Sequence, residues 1–188
     1  MKRISLILLS LLVCLAVLAR QPERGYRGFL DCNNSLTSYT YMYTPEAHRL
    51  TAYYSGISTS HGYQITPVWF VGAGLSVEHS RNVGEYIIPV FLQGRADLKL
   101  GKLTPFADIK AGYNLTDGGG AYLSPMIGYR FNWGRKLGIN LGLGATLKNI
   151  GVQTYEMTVV PGESFEIKST GIERRWRGYF SFRLGIDF

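Results

Sequence analysis

From Leu103 to Thr116 the chain alternates with a period of two. Leu103, Pro105, Ala107, Ile109, Ala111, Tyr113 and Leu115 are apolar or aromatic. Between them stand Thr104, Phe106, Asp108, Lys110, Gly112, Asn114 and Thr116. Successive side chains of a strand point to opposite faces, so this segment predicts a strand with one greasy face and one polar or small face. Leu137–Lys148 repeats the pattern, with Leu137, Ile139, Leu141, Leu143, Ala145 and Leu147 set against Gly138, Asn140, Gly142, Gly144, Thr146 and Lys148. Arg175–Phe188 repeats it again, ending on Phe180, Phe182, Leu184, Ile186 and Phe188. Beyond residue 20 no segment carries apolar residues at spacings of three and four over a helical length. The chain is therefore expected to be all-β.

Four more segments alternate less cleanly: Tyr26–Asn34, Pro67–His79, Tyr86–Lys99 and Gly120–Asn132. The faintest is Leu50–Ser60, where Tyr53, Tyr54 and Ile57 do not agree on a face. It is read as a strand because its neighbours need a partner, which makes eight.

The polar face is thin in Lys and Glu and rich in Gly, Ser, Thr and Asn; Gly numbers 23 of 188 residues. A soluble sandwich would show water a charged face. In an outer-membrane barrel the apolar face meets lipid and the polar face turns inward. Eight strands leave an interior just wide enough for side chains to fill, which suits small residues there. Strands of about 12 residues are long for a soluble fold and suit a tilted membrane span. Trp69, Trp133 and Trp176 fall at predicted strand ends, where an interfacial aromatic girdle would place them. The sequence thus predicts an eight-stranded antiparallel up-and-down transmembrane β-barrel.

Lys2 and Arg3 precede an apolar run from Ile4 to Ala19. That run is short for a membrane-spanning helix and reads as a signal peptide cleaved after Ala19. Residues 20–188 are then the barrel domain. Leu11-Leu12-Val13 places no small residue before Cys14, so lipidation there is not expected. With Cys14 in the leader, Cys32 has no partner for an internal disulfide. The net charge of +7 is scattered singly, and nucleic acid is not an expected partner.

Arg24-Gly25-Tyr26-Arg27-Gly28-Phe29, His61-Gly62-Tyr63-Gln64-Ile65-Thr66-Pro67 leading into Gly72-Ala73-Gly74, Thr104-Pro105-Phe106 and Ile127-Gly128-Tyr129-Arg130-Phe131 occur in that order. In this the chain resembles the small outer-membrane β-barrel proteins of Bacteroidota, porin-like or OmpA-like in name, over nearly all of residues 24–188. The resemblance implies a location in the bacterial outer membrane and a barrel fold, and transfers no active site. The terminal series Phe180, Phe182, Leu184, Ile186 and Phe188 resembles the C-terminal signal read by the barrel-assembly machinery, which implies that machinery as a transient partner.

An even strand count puts both termini in the periplasm. Periplasmic turns are expected near 61–67, 99–103 and 133–137, and outward loops near 36–49, 80–86, 116–120 and 152–173. Parity places Arg27, Asp31, Glu78, Arg95, Asp97, Lys99, Asp108, Lys110, Arg130, Lys148, Arg175, Arg177, Arg183 and Asp187 on the inner face. An unpaired charge in a dry interior is costly, so these should pair. Closure of the first strand on the last predicts Arg27 with Asp187; adjacency of the fourth and fifth predicts Arg95 with Asp108. Lys148, Arg175 and Arg177 form an expected basic outer mouth, fit for an acidic ligand or for rim solvation. Tyr39, Tyr41 and Tyr43 mark either a binding loop or an upward extension of the barrel.

Catalytic chemistry is not expected. His48, His61 and His79 lack a serine at the second position after them, the spacing that would put both on one strand face. His61 is placed in a turn. Gly118-Gly119-Gly120 precedes no helix or Lys and reads as a hairpin turn, not a phosphate loop. No cofactor or metal is implied. The sequence leaves two main readings open: a non-catalytic barrel with a side-chain-plugged interior and a structural, surface or accessory role beside another outer-membrane protein, or a small gated pore for ions or small solutes. An outer-leaflet acyl-chain hydrolase ranks below both.

Overall fold

The computed structural model describes residues 24–42, 47–81, 84, 86–98, 102–116, 119–133, 137–158 and 166–188. These form strands β1 (Gly25–Met42), β2 (Ala47–Gln64), β3 (Trp69–Ser80), β4 (Tyr86–Ile87), β5 (Pro89–Asp97), β6 (Leu103–Asn114), β7 (Gly120–Trp133), β8 (Leu137–Thr158) and β9 (Glu166–Asp187), and no helix occurs among them. Every pairing is antiparallel; β3 pairs with both β4 and β5, the other strands pair with their neighbours in sequence, and β1 pairs with β9, so the sheet closes on itself. β4 and β5 are one stave: Glu78↔Ile87 and Leu75↔Val90 keep a single register across the break. No residue is inserted there; Pro89 has no N–H to give the ladder. The fold is a closed eight-stranded up-and-down barrel.

Closure runs to the last residue. Phe29↔Asp187 through Leu36↔Phe180 pair β1 with β9. Gly28 and Phe188 then exchange backbone hydrogen bonds of 2.9 and 3.0 Å. Phe188 is buried because its ring lies over Gly28 on the outer wall, where a Cβ on residue 28 would meet it at 2.7 Å.

Burial is inverted relative to a soluble barrel. Ile127, Leu92, Leu115, Ile57, Val71 and Leu184 are exposed, on different staves of the wall. Arg27, Asp31, Glu78, Arg95, Asp97, Asp108, Lys110, Lys148, Arg183 and Asp187 are buried. Trp69 and Trp133 project at one end of the barrel and Trp176 towards the other, all exposed.

Two expected loops are largely strand. Instead of a loop over 36–49, β1 runs to Met42 and β2 starts at Ala47, so that Tyr39 and Tyr41 lie within a strand. This corresponds to extension of the barrel; Tyr43 is outside the described residues. Instead of a loop over 152–173, β8 and β9 continue to Thr158 and back from Glu166, with a bulge between Thr154 and Tyr155. The β-branched and aromatic residues in both segments favour the extended chain. β1–β9 pairing stops at Leu36↔Phe180, β2–β3 pairing at Tyr54↔Ser80 and β7–β8 pairing at Tyr122↔Lys148. Above those points β1–β2 and β8–β9 stand as two separate two-stranded ribbons.

The expected turn at 61–67 is shorter and later, because β2 extends to Gln64. Thr66 Oγ1 accepts the amides of Val68 and Trp69 at 3.3 and 3.0 Å and closes the turn around Pro67. His61 therefore stands on a strand.

Candidate functional site

The lumen holds three tiers of polar side chains. Nearest the short turns, Asp187 accepts Arg130 Nη2 at 2.7 Å, Arg27 Nε at 3.1 Å and Asn140 Nδ2 at 2.7 Å. Arg27 Nη1 reaches on to Asp97 Oδ2 at 2.7 Å and Gln64 Oε1 at 2.9 Å. Arg95 donates to the other Asp97 oxygen at 2.8 Å and to Asn140 Oδ1 at 2.8 Å. Arg130 also donates to Asn132.

In the middle tier Asp108 accepts Arg183 Nη1 at 2.6 Å and the amide of Gln93, whose oxygen accepts Ser60. Lys110 Nζ donates to Asp31 at 2.8 Å and to Ser58 at 3.1 Å. Arg183 Nε donates to Asn33 Oδ1 at 3.1 Å.

The third tier lies below the ribbons. Lys148 and Glu78 pair there, with Lys148 Nζ 4.2 Å from the centre of the Tyr54 ring and 5.3 Å from that of Tyr179. The two rings meet edge to face at 5.3 Å and cluster with Ala52 and Ile87. Alongside runs a hydroxyl chain: Ser35–Ser181 at 2.8 Å, Ser181–Thr146 at 2.7 Å and Thr146–Ser124 at 3.0 Å.

Arg27 and Asp187 form the anticipated pair. Arg95 and Asp108 do not. They are backbone partners in the β5–β6 register, but Phe106 and Phe29 flank the Arg95 guanidinium at 3.7 and 5.1 Å and hold it towards Asp97. Lys148 is not part of an open basic mouth: it is fully buried against Glu78. Arg175 is exposed and Arg177 half-buried, on β9 where it rises above its pairing with β1. Lys99 is outside the described residues.

Among the described residues the most deeply buried charges are five cations, Arg27, Arg95, Lys110, Lys148 and Arg183, and five carboxylates, Asp31, Glu78, Asp97, Asp108 and Asp187, and the less buried Arg130 adds a sixth cation on Asp187. Ions drawn out of water regain their solvation cost only with opposite charges and hydrogen bonds in good geometry. The tiers supply both, and the resulting arrangement is a cross-linked polar core in which every described lumen cation meets a carboxylate.

The lumen also contains the aromatic rings of Phe29, Phe70, Phe91 and Phe106, which share the inward parity but which the reading of that face as polar or small passed over. Phe70, Phe91 and Phe106 fit because glycines face them. A Cβ on Gly62 or Gly72 would meet the Phe70 ring at 2.8 or 2.6 Å, and one on Gly128 would meet Phe106 at 2.7 Å. Large side chains opposite bare backbone fill a narrow barrel. The glycine-rich inner face is the signal that points to these rings.

On the outer wall His61 sits between two hydroxyls. Tyr26 Oη is 2.5 Å from its Nδ1, and Thr59 Oγ1 is 3.0 Å from its Nε2. Thr59 precedes His61 by two residues on one strand face, the reverse of the order sought in the sequence. His79 is half-buried near the other end of β3, with its ring against Tyr86 at 4.9 Å. No cluster of three or more metal-ligating side chains occurs among the described residues.

No protein-family model matches the chain, and no curated protein is significantly similar to it.

Proposed function

We propose that this chain is a bacterial outer-membrane barrel protein with a solid polar core, exported with loss of residues 1–19, and that its role is structural or surface-interacting and not catalytic. The observation that carries this is the inverted burial: aliphatic and aromatic side chains face outward around the barrel while ten of the described charged side chains are buried within it. Water would penalise both halves of that arrangement, and hydrocarbon outside a closed barrel favours both.

The cross-linked core supports a plug over a pore. Moving one member, such as Lys148 or Arg183, strands its carboxylate, and the fixed partners oppose passage of an ion. The two ribbons above the barrel offer the surface for contact with other molecules, with exposed Arg174 and Arg175 near the base of one of them. In this reading the face carrying Phe180, Phe182, Leu184, Ile186 and Phe188 is what the assembly machinery engages before closure, and lipid covers it afterwards.

Planar-bilayer recording of the purified protein tests the plug. A silent membrane containing demonstrably inserted protein is the expected result. Steady, reproducible openings would replace the plug with a gated pore.

A further inference from the structure

The connections between staves divide by charge. At the long-turn end they are 43–46, 81–85, 115–119 and 159–165. Each holds one acidic residue, Glu46, Glu85, Asp117 or Glu163, and Arg81 is the one basic residue among them. The ribbon strands at that end mix both signs. At the short-turn end the connections are 65–68, 98–102 and 134–136. The first is uncharged, while the other two hold Lys99, Lys102, Arg135 and Lys136 and no acidic residue. The nearest lumen carboxylates do not offset these charges, because Asp97 and Asp187 are engaged by Arg27, Arg95 and Arg130. The terminal carboxylate of Phe188, one step beyond the pair Gly138↔Asp187, offsets one of the four at most.

The two basic connections are neighbours. Leu103↔Phe131 pairs the start of β6 with the end of β7, and the Lys102 carbonyl accepts the Asn132 amide at 3.0 Å. Lys102 is exposed, and so are Leu103, Phe131 and Trp133 on the wall beside it. An exposed tryptophan at a strand end marks the interface between hydrocarbon and headgroups. Connections of three and five residues reach only about 5–10 Å past the strand ends, close to the thickness of one headgroup layer. Long basic side chains with apolar stems then bring their charges among the phosphates at that depth.

We propose that the short-turn end of β5–β8 is a docking surface for anionic phospholipid, drawn there by Lys102 and the basic residues of the two connections. This rests on the membrane reading given above. Sign and depth together choose the occupant. A basic residue close to a bilayer surface favours anionic headgroups about fivefold. A soluble acidic chain would have to displace lipid already lying at that depth. The preference is confined to one side of the barrel, because the connection 65–68 between β2 and β3 carries no charge.

Spin-labelled lipid tests this. With the folded protein in phosphatidylcholine bilayers, the spectrum of a spin-labelled phosphatidylglycerol separates lipid held on the protein from free lipid. Comparison with spin-labelled phosphatidylcholine gives the preference. The expected preference for phosphatidylglycerol is about twofold or more, averaged over the whole annulus, falling towards one in about 1 M salt. Lys99→Gln, Lys102→Gln, Arg135→Gln and Lys136→Gln introduced together should bring it close to one. Exchanging Lys for Arg and Arg for Lys at the same four positions should retain it, since the charge is kept. A wild-type preference of one would overturn the proposal, and so would a preference that survives the glutamine changes. Soluble poly-glutamate bound by the wild-type protein and not by the glutamine variant, with no lipid preference, would overturn it in favour of an acidic chain. The absence of any held lipid around the folded wild-type protein would instead remove the membrane reading on which the docking surface rests.

Discussion

Arg27 on the first strand and Asp187 on the last lie 3.1 Å apart inside the barrel, where the two ends of the sheet meet. The same carboxylate accepts Arg130 and Asn140, so one residue ties β9 to β1, β7 and β8. Asp187→Ala leaves Arg27 and Arg130 short of a counter-charge. Breaking a buried pair from one side costs about 3–5 kcal/mol. Urea unfolding in vesicles should show a loss of that size, whereas a loss below about 1 kcal/mol would mean that closure does not depend on this carboxylate.

Lys148 and Glu78 pair apart from the Asp187 and Asp97 group, under the two tyrosine rings. Lys148→Met and Glu78→Gln should each destabilise, since each strands a charge. The double substitution removes both charges and should lose less than the sum of the two. A double-mutant cycle measures the difference, expected at about 1–3 kcal/mol of coupling. Strict additivity would show that the two side chains act independently.

Gly128 and Gly142 are direct register partners on β7 and β8, yet alanine should affect them differently. A Cβ at 142 finds Met126 Sδ at 3.4 Å and Phe106 at 3.5 Å, ordinary contact. A Cβ at 128 meets the Leu141 carbonyl at 2.1 Å and Phe106 at 2.7 Å. Gly142→Ala should be nearly neutral, while Gly128→Ala should cost about 1–3 kcal/mol or more as overpacking. The temperature at which the folded band is lost on a detergent gel ranks the two; equal behaviour would contradict the packing of Phe106 between them.

How much of this is legible in the sequence differs from stave to stave. β6 and the lower parts of β8 and β9 declare themselves because their outward rows are unbroken and their inward rows polar or small. β2 barely does so, and the structure gives the reason. Tyr54 faces the lumen while Tyr53 and Ile57 face out, and the outward row is itself interrupted by Ser55, Thr59 and His61. The faint period and the polar interruption of the outward row are one feature. The pairing of Arg95 could not be read from register, because its direction is set by rings from β1 and β6 that only closure brings together. The ribbons were hidden for another reason: their strands, polar and mixed in sequence, lack the greasy face by which the other strands are recognised.

The central claim is that hydrocarbon is the solvent of the outer wall, and Ile127 tests it most directly, being 69% exposed near the middle of β7. In a water-soluble protein, replacing so exposed an isoleucine with arginine would change stability by no more than about 0.5 kcal/mol. In a bilayer midplane the same change costs about 2–4 kcal/mol. Reversible folding of Ile127→Arg into phosphatidylcholine vesicles should show the larger loss, and a wild-type-like free energy would contradict the membrane assignment.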